Sequence, residues 1–258
     1  MIEIFDTHTH LNTIEFEGRV KEEISKAQSF GVTKINNVGS NYQLNDAALL
    51  LADKFESAYA TIGWHPDDAA EFDTAAEEYL LTKGRSKKVI AVGEIGLDYH
   101  WMVSPKAVQE RVFRRQIQIS KELGIPFQVH TRDALSDTYE IIKSEGVGTA
   151  GAIMHSFSGT AEEALKFVEL GMNISFSGVV TFKKVLDVQE AARLLPLDKI
   201  LVETDAPYLT PTPYRGKENT PGYTKYVVEK IADLRGISME EVAEATNENA
   251  LKIFDLKK

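Results

Sequence analysis

Short apolar runs alternate with amphipathic stretches along most of the chain. The runs occupy residues 2–5, 33–38, 58–62, 89–92, 125–129, 152–154, 172–176 and 200–202, and each is short enough to be a strand. Between them lie stretches with apolar residues at three and four spacing, such as 20–30, 45–55, 75–82, 107–123 and 161–170, which predict helices. Eight such alternations predict a parallel sheet crossed by helices. The runs read as apolar on both faces, as strands covered on both sides should be. At 258 residues the chain has the size of one (β/α)8 TIM barrel, with its active site at the carboxyl ends of the strands, and we expect a single domain over 1–258. An open doubly wound sheet ranks second, because the first strand is followed by DTHTH and not by a glycine-rich phosphate turn. A proline-rich loop over 205–221 and helices over 223–234 and 240–254 complete the pattern, the last being an extra carboxyl-terminal helix.

Composition narrows the chemistry. There is no cysteine, so disulfides, thiolate nucleophiles, iron-sulfur ligation and cysteine-zinc sites are excluded. Any metal must be held by His, Asp or Glu. The 29 basic and 39 acidic side chains leave a net charge of -10, which argues against a broad basic face for gripping nucleic acid and leaves room only for local phosphate contacts. The opening MIEIFDTHTHL lacks a basic segment followed by an apolar run, and no stretch approaches about 18 apolar residues. We therefore expect a cytoplasmic protein with no membrane partner.

Five of the six histidines fall at or just past the carboxyl end of a predicted strand. His8 and His10 follow the first as His-x-His, a spacing that in an extended segment sends both rings to one side, where one metal can take both. His65 follows the third strand, Glu94 the fourth and His155 the sixth; His130 ends the fifth, and Asp205 follows the eighth. Singly these residues have plain readings: a polar strand exit for His8 and His10, a loop carboxylate for Glu94, hydrogen-bonded core histidines for His130 and His155, a turn start for Asp205. Together they form a ring round one mouth if the barrel closes, and that coincidence points to a metal centre.

The segments FDTHTHLN, GWHP, AVGEIGLDYH, QVHTRDA, MHSFSG and VETDAPYLTP, in that order, resemble the motif set of the TatD family of metal-dependent deoxyribonucleases. The likeness spans residues 4–211 and continues into TPYRGKENTPGY and EEVAEATNENALKIF. His100, Met102 and Val103 depart from it, since relatives often have aromatic or acidic residues there. The resemblance implies a TIM barrel with one or two divalent cations liganded by His8, His10, Glu94, His130, His155 and Asp205, with Glu94 bridging both. It also implies kinship with amidohydrolases, which often bridge their metals with a modified lysine; Glu94 in that role favours the nuclease branch. By analogy with related barrels, Asp205 orients or deprotonates the attacking water, and His65 donates to a substrate phosphate, against a packing role at a helix start.

Residues near these motifs carry open readings. Glu203 supports Asp205 or is a structural acid in the mouth. Arg132 grips phosphate or pairs at the surface with Asp133. Tyr99 and Trp101 stack on an unpaired base or pack their loop. Arg215 and Lys217 greet the substrate backbone or sit on a solvated turn, and His100 has no assignment.

A phosphodiester repels nucleophiles, so its hydrolysis needs neutralised oxygens and an activated water, both of which paired divalent cations supply. The imidazole-carboxylate set suits Zn, Mn, Fe or Ni better than Mg alone. The reading is a metal-dependent deoxyribonuclease removing nucleotides from DNA, on single-stranded ends. An ester or amide hydrolase such as a D-aminoacyl-tRNA deacylase is the alternative, because the same chemistry attacks a carbonyl. A metal-binding protein without turnover ranks third.

Overall fold

A computed structural model describes residues 2–256. Eight parallel strands pair in sequence order: β1 (Ile4–Thr9), β2 (Val32–Val38), β3 (Ala58–Ile62), β4 (Val89–Asp98), β5 (Phe127–Arg132), β6 (Ala152–Met154), β7 (Met172–Phe176) and β8 (Ile200–Val202). Helices α1 (Val20–Ser29), α2 (Tyr42–Lys54), α3 (Thr74–Lys83), α4 (Lys106–Leu123), α5 (Leu135–Glu145), α6 (Ala161–Glu169) and α7 (Leu186–Leu194) fill the crossovers. α8 (Thr224–Arg235) and α9 (Met239–Ile253) follow β8, so the barrel carries the extra carboxyl-terminal helix. The expected TIM barrel is present. Its seam is held just past β8, where Asp205 N–H donates to the His8 carbonyl at 2.9 Å and His10 N–H to the Ala206 carbonyl at 2.8 Å. Closing the barrel thus brings Asp205 to His8 and His10.

Local signals account for the helix ends. Thr160 with Glu163 and Ser238 with Glu241 form capping boxes that start α6 and α9, while Asn41 and Asp73 cap α2 and α3. The main core lies between the sheet and the helices, with Phe113, Phe127, Phe167 and Phe176 fully buried. A smaller cluster of Phe5, Ile90, Ile153 and Leu201 packs against Phe254 just beyond α9, with the Phe5 and Phe254 rings 5.5 Å apart.

The strands differ from expectation in two linked ways. They are not apolar on both faces: Thr7, Asn36, Thr61, Gln128 and Ser175 are all buried on them. Gln128 donates to the Thr7 carbonyl at 2.8 Å and Thr7 meets Ser175 at 3.3 Å. These residues sit on strands that are not neighbours, so the bonds run through the barrel interior. For the same reason β1, β4 and β5 extend past their apolar runs. His8 and Glu94 lie within strands and do not follow them, and β5 runs two residues past His130, because parallel pairing continues through polar residues whose side chains find partners inside the barrel.

Candidate metal centre

The mouth at the carboxyl ends of the strands is a cavity of about 730 Å³ lined by His10, His65, Glu94, His130, His155 and Asp205 among others. At its floor the His8 and His10 Nε2 atoms stand 3.2 Å apart, and Asp205 Oδ1 is 3.2 Å from His10 and 3.7 Å from His8. Asp205 has a φ of 58°, a left-handed turn that Asp tolerates better than most residues and that aims its carboxylate back at β1. Glu94 lies between two groups of imidazoles. Its Oε2 is 3.5 Å from His8 Nε2, and its Oε1 is 2.9 Å from His130 Nδ1 and 3.3 Å from His155 Nε2. The His8 and His155 rings stack with centroids 3.6 Å apart.

Three of the four rings are held from behind. His10 Nδ1 is 2.9 Å from the Val38 carbonyl, and His130 Nε2 is 3.1 Å from Asp98 Oδ2. His155 Nδ1 lies 2.7 Å from Glu203 Oε1, but out of line for an N–H hydrogen bond, so we read this as a charge contact; Glu203 also accepts from the Ser156 N–H at 2.9 Å. Glu203 therefore backs His155, while Asp205 meets His10 and His8. The glycines of the GEIG segment make the fit possible. Gly96 pairs with His130 in the ladder, has a φ of 142°, and passes so close that a Cβ there would stand 2.0 Å from the His130 carbonyl oxygen.

Electrostatics show what the cluster wants. Burial opposes charge on His130 and His155, yet hydrogen bonds to Asp98 and Glu94 raise His130 to about 9, and the Glu203 and Glu94 charges raise His155 to about 10. Against its own burial, Glu94 is held well below the ordinary carboxylate range by His155, His8 and His130. Asp205 is lowered in the same way, chiefly by His10, and Asp98 falls to about 2 against His130. The negative potential that keeps protons on these rings would favour a cation equally. Among the described residues, every ion contact of Glu94 and Asp205 is with an imidazole, and no lysine or arginine neutralises them. His8 Nδ1 is buried without a partner. Three sets, namely His8 with His155 and Asp205, His8 with His10 and Glu94, and His65 with Glu94 and His130, each bring ligand-type atoms within 4.8 Å of one another. The donor set fits divalent cations.

His65 differs from the rest. Its ring centroid is 4.5 Å from that of His130, and its Nδ1 accepts the Asp67 N–H at 3.2 Å as Pro66 turns the chain. Burial and the neighbouring His130 charge lower it to about 3. The ring is thus neutral with its proton on Nε2, which suits a donor better than a ligand. Arg132 lines the mouth with its guanidinium 5.4 Å from the centre of the Trp101 ring, and does not pair with Asp133, which faces His100 at 3.2 Å. Trp101 is 61% exposed at the rim. Tyr99 is tied down instead, with its hydroxyl bonded to Asp137 and Glu110. Arg215 lies 3.7 Å over the Phe182 ring and Lys217 over Tyr214; neither lines the mouth. The sequence reading assigned no role to Asp98 or Tyr208. Strand alternation puts 94, 96 and 98 on one face of β4, a signal that exists only once the strand is known to run past Val92.

A parallel barrel with buried imidazoles and carboxylates converging at its carboxyl end belongs to the metal-dependent hydrolases in form. The sequence profile of the TatD related DNase family matches residues 5–255, and the chain belongs to that family. An uncharacterized metal-dependent hydrolase, YabD of Bacillus subtilis, is 42% identical over 97% of this chain and 98% of its own. The 3'-5' ssDNA/RNA exonuclease TatD of Salmonella typhimurium is 32% identical over 98% of this chain and 99% of its own. Among solved structures, YjjV, a TatD homologue from Escherichia coli, superposes with a TM-score of 0.93 at 27% identity, covering 98% of both chains. The chain is therefore a metal-dependent hydrolase of the TatD family. Among the described residues no helix is long and apolar enough to cross a membrane.

Proposed function

We propose that this chain is a divalent-metal-dependent nuclease that removes nucleotides from single-stranded DNA ends, with His8, His10, Glu94, His130, His155 and Asp205 as ligands of two cations. The observation that carries the reading is the placement of Glu94, whose one carboxylate faces His8 through Oε2 and His130 with His155 through Oε1. A carboxylate so placed would serve cations held by either group of imidazoles. The chemistry such cations would supply when bound is neutralised phosphodiester oxygens and a water of lowered pKa. The protein's own groups then have distinct tasks. Asp205, tethered to His10 through Oδ1, orients the attacking water and accepts its proton, and Glu203 steadies His155 from behind. His65 donates its Nε2 proton to a phosphate oxygen, and Arg132 adds a second donor at the rim.

Two features favour a single strand. A mouth about 730 Å³ in volume admits a flexible terminus more readily than a duplex interior, and the net charge of -10 leaves phosphate binding to groups near the cations. The exonuclease named among the relatives, similar over the full length, supports the same substrate. The test is cleavage of end-labelled single-stranded and duplex oligonucleotides, with RNA and a D-aminoacyl-tRNA in parallel, across Zn, Mn, Mg, Fe and Ni. Stepwise loss from one end of the single strand is the expected result. Hydrolysis confined to the aminoacyl ester would select the deacylase reading instead.

A further inference from the structure

His130 is the one ring of the centre that turns its Nδ1 to Glu94; His10 and His155 keep Nδ1 for Val38 and Glu203 and turn Nε2 inward. Which nitrogen of His130 offers a lone pair depends on what holds the other. That group is Asp98, 1% exposed, whose Oδ2 stands 3.1 Å from His130 Nε2. Its other oxygen, Oδ1, accepts the backbone N–H groups of both His100 and Trp101 at 2.9 Å. Asp98 itself cannot swing away. Its N–H donates to Gln109 Oε1 at 2.9 Å, and Gln109 Nε2 donates to the Asp98 carbonyl at 3.0 Å and to the Ser104 carbonyl at 2.8 Å.

We propose that Asp98 is a positioning residue that keeps a proton on His130 Nε2, so that Nδ1, beside Glu94, is the nitrogen offered to a cation, and that with the same carboxylate it holds the backbone that presents Trp101 at the rim. The first half rests on the reading of His130 as a ligand. An ionised carboxylate only accepts, so the 3.1 Å contact with Asp98 requires a proton on Nε2, while the proton on Nδ1 that faces Glu94 at 2.9 Å is the one a cation would displace. Outer partners of this kind set the tautomer and orientation of ligand histidines, and losing one typically lowers metal affinity about 10- to 100-fold. The second half makes metal retention and substrate placement share one side chain.

Asp98→Asn separates the two tasks. The amide oxygen keeps the bonds from His100 and Trp101, while the amide nitrogen becomes a donor to His130 Nε2 and drives the ring proton to Nδ1. The experiment titrates Zn(II) into the full chain against a competing chelator and reads the imidazole tautomers by 15N NMR. In the zinc-loaded wild type, His130 should carry its proton on Nε2. In Asp98→Asn the weaker zinc step should loosen about 10- to 100-fold, with oligonucleotide affinity at saturating zinc nearly unchanged; Asp98→Ala should lose both. An Nδ1-protonated His130 in the zinc-loaded wild type overturns the proposal without any variant. So does unchanged zinc affinity in Asp98→Asn when His130→Ala has lost one zinc. If His130→Ala itself keeps both zinc ions, the ligand reading has failed, and the Asp98 proposal falls with it.

Discussion

Gly96 lies directly across the β4–β5 ladder from His130, so close that any side chain at 96 would meet the His130 carbonyl. The backbone of one motif thereby sets the position of a residue in another. Gly96→Ala should force these strands apart and adopt a φ that Ala disfavours, which costs about 1–3 kcal/mol for the backbone alone. In a chain of this size that corresponds to a fall in Tm of several degrees. Elemental analysis should show less bound metal in the folded fraction. Wild-type Tm and metal content would sink this account of the glycine.

Much of this was legible before the structure. Eight short apolar runs gave the strand order, and the histidines at their ends gave the mouth. The limits of β1, β4 and β5 were not legible, because an apolar-run criterion stops where polar residues begin, at Asp6 and Thr7, at Glu94 and at His130, although the pairing continues through them. Asp98 went unassigned for a related reason: it stood in a recognised segment, but its role depends on facing His130, and a cross-strand register is not written in either segment alone. Glu203 sits two residues before Asp205 in sequence yet contacts His155, just past β6, which spacing could not show. Arg215 and Lys217 in the proline-rich loop read equally as substrate contacts or a solvated turn; the fold sets them over Phe182 and Tyr214.

Divalent cations should stabilise the fold if they bind the proposed ligands, because these come together only when the ends of β1, β4, β5, β6 and β8 do. At 100 times the dissociation constant the gain is about 2.7 kcal/mol. Thermal unfolding with and without chelator measures it. An unchanged Tm across saturating Zn, Mn, Mg, Fe and Ni would mean that the cluster holds no cation.

Asp205→Asn should separate chemistry from binding. The change keeps volume and one oxygen while removing the base, so single-turnover cleavage should fall about 10²- to 10⁴-fold with oligonucleotide affinity little changed. Cleavage within a few-fold of wild type would remove Asp205 as the base. Loss of binding and metal together would make it chiefly a ligand.

Trp101→Ala should weaken single-stranded substrate by the loss of one stacked base, worth about 1–3 kcal/mol, or roughly 5- to 150-fold in affinity. Metal content should stay the same, since the ring stands at the rim. Equal affinity in equilibrium binding of a labelled single strand would return Trp101 to a packing role.

The central claim is that one carboxylate joins two cations which together hydrolyse a phosphodiester. Glu94→Gln tests it most directly, because the substitution keeps shape and replaces the bridging carboxylate by a neutral amide. The measurement is paired on one sample: metal stoichiometry by elemental analysis and single-turnover cleavage of an end-labelled single-stranded oligonucleotide. The account predicts loss of one cation and of nearly all cleavage in a folded protein. Retention of both cations with cleavage near the wild-type rate would contradict it.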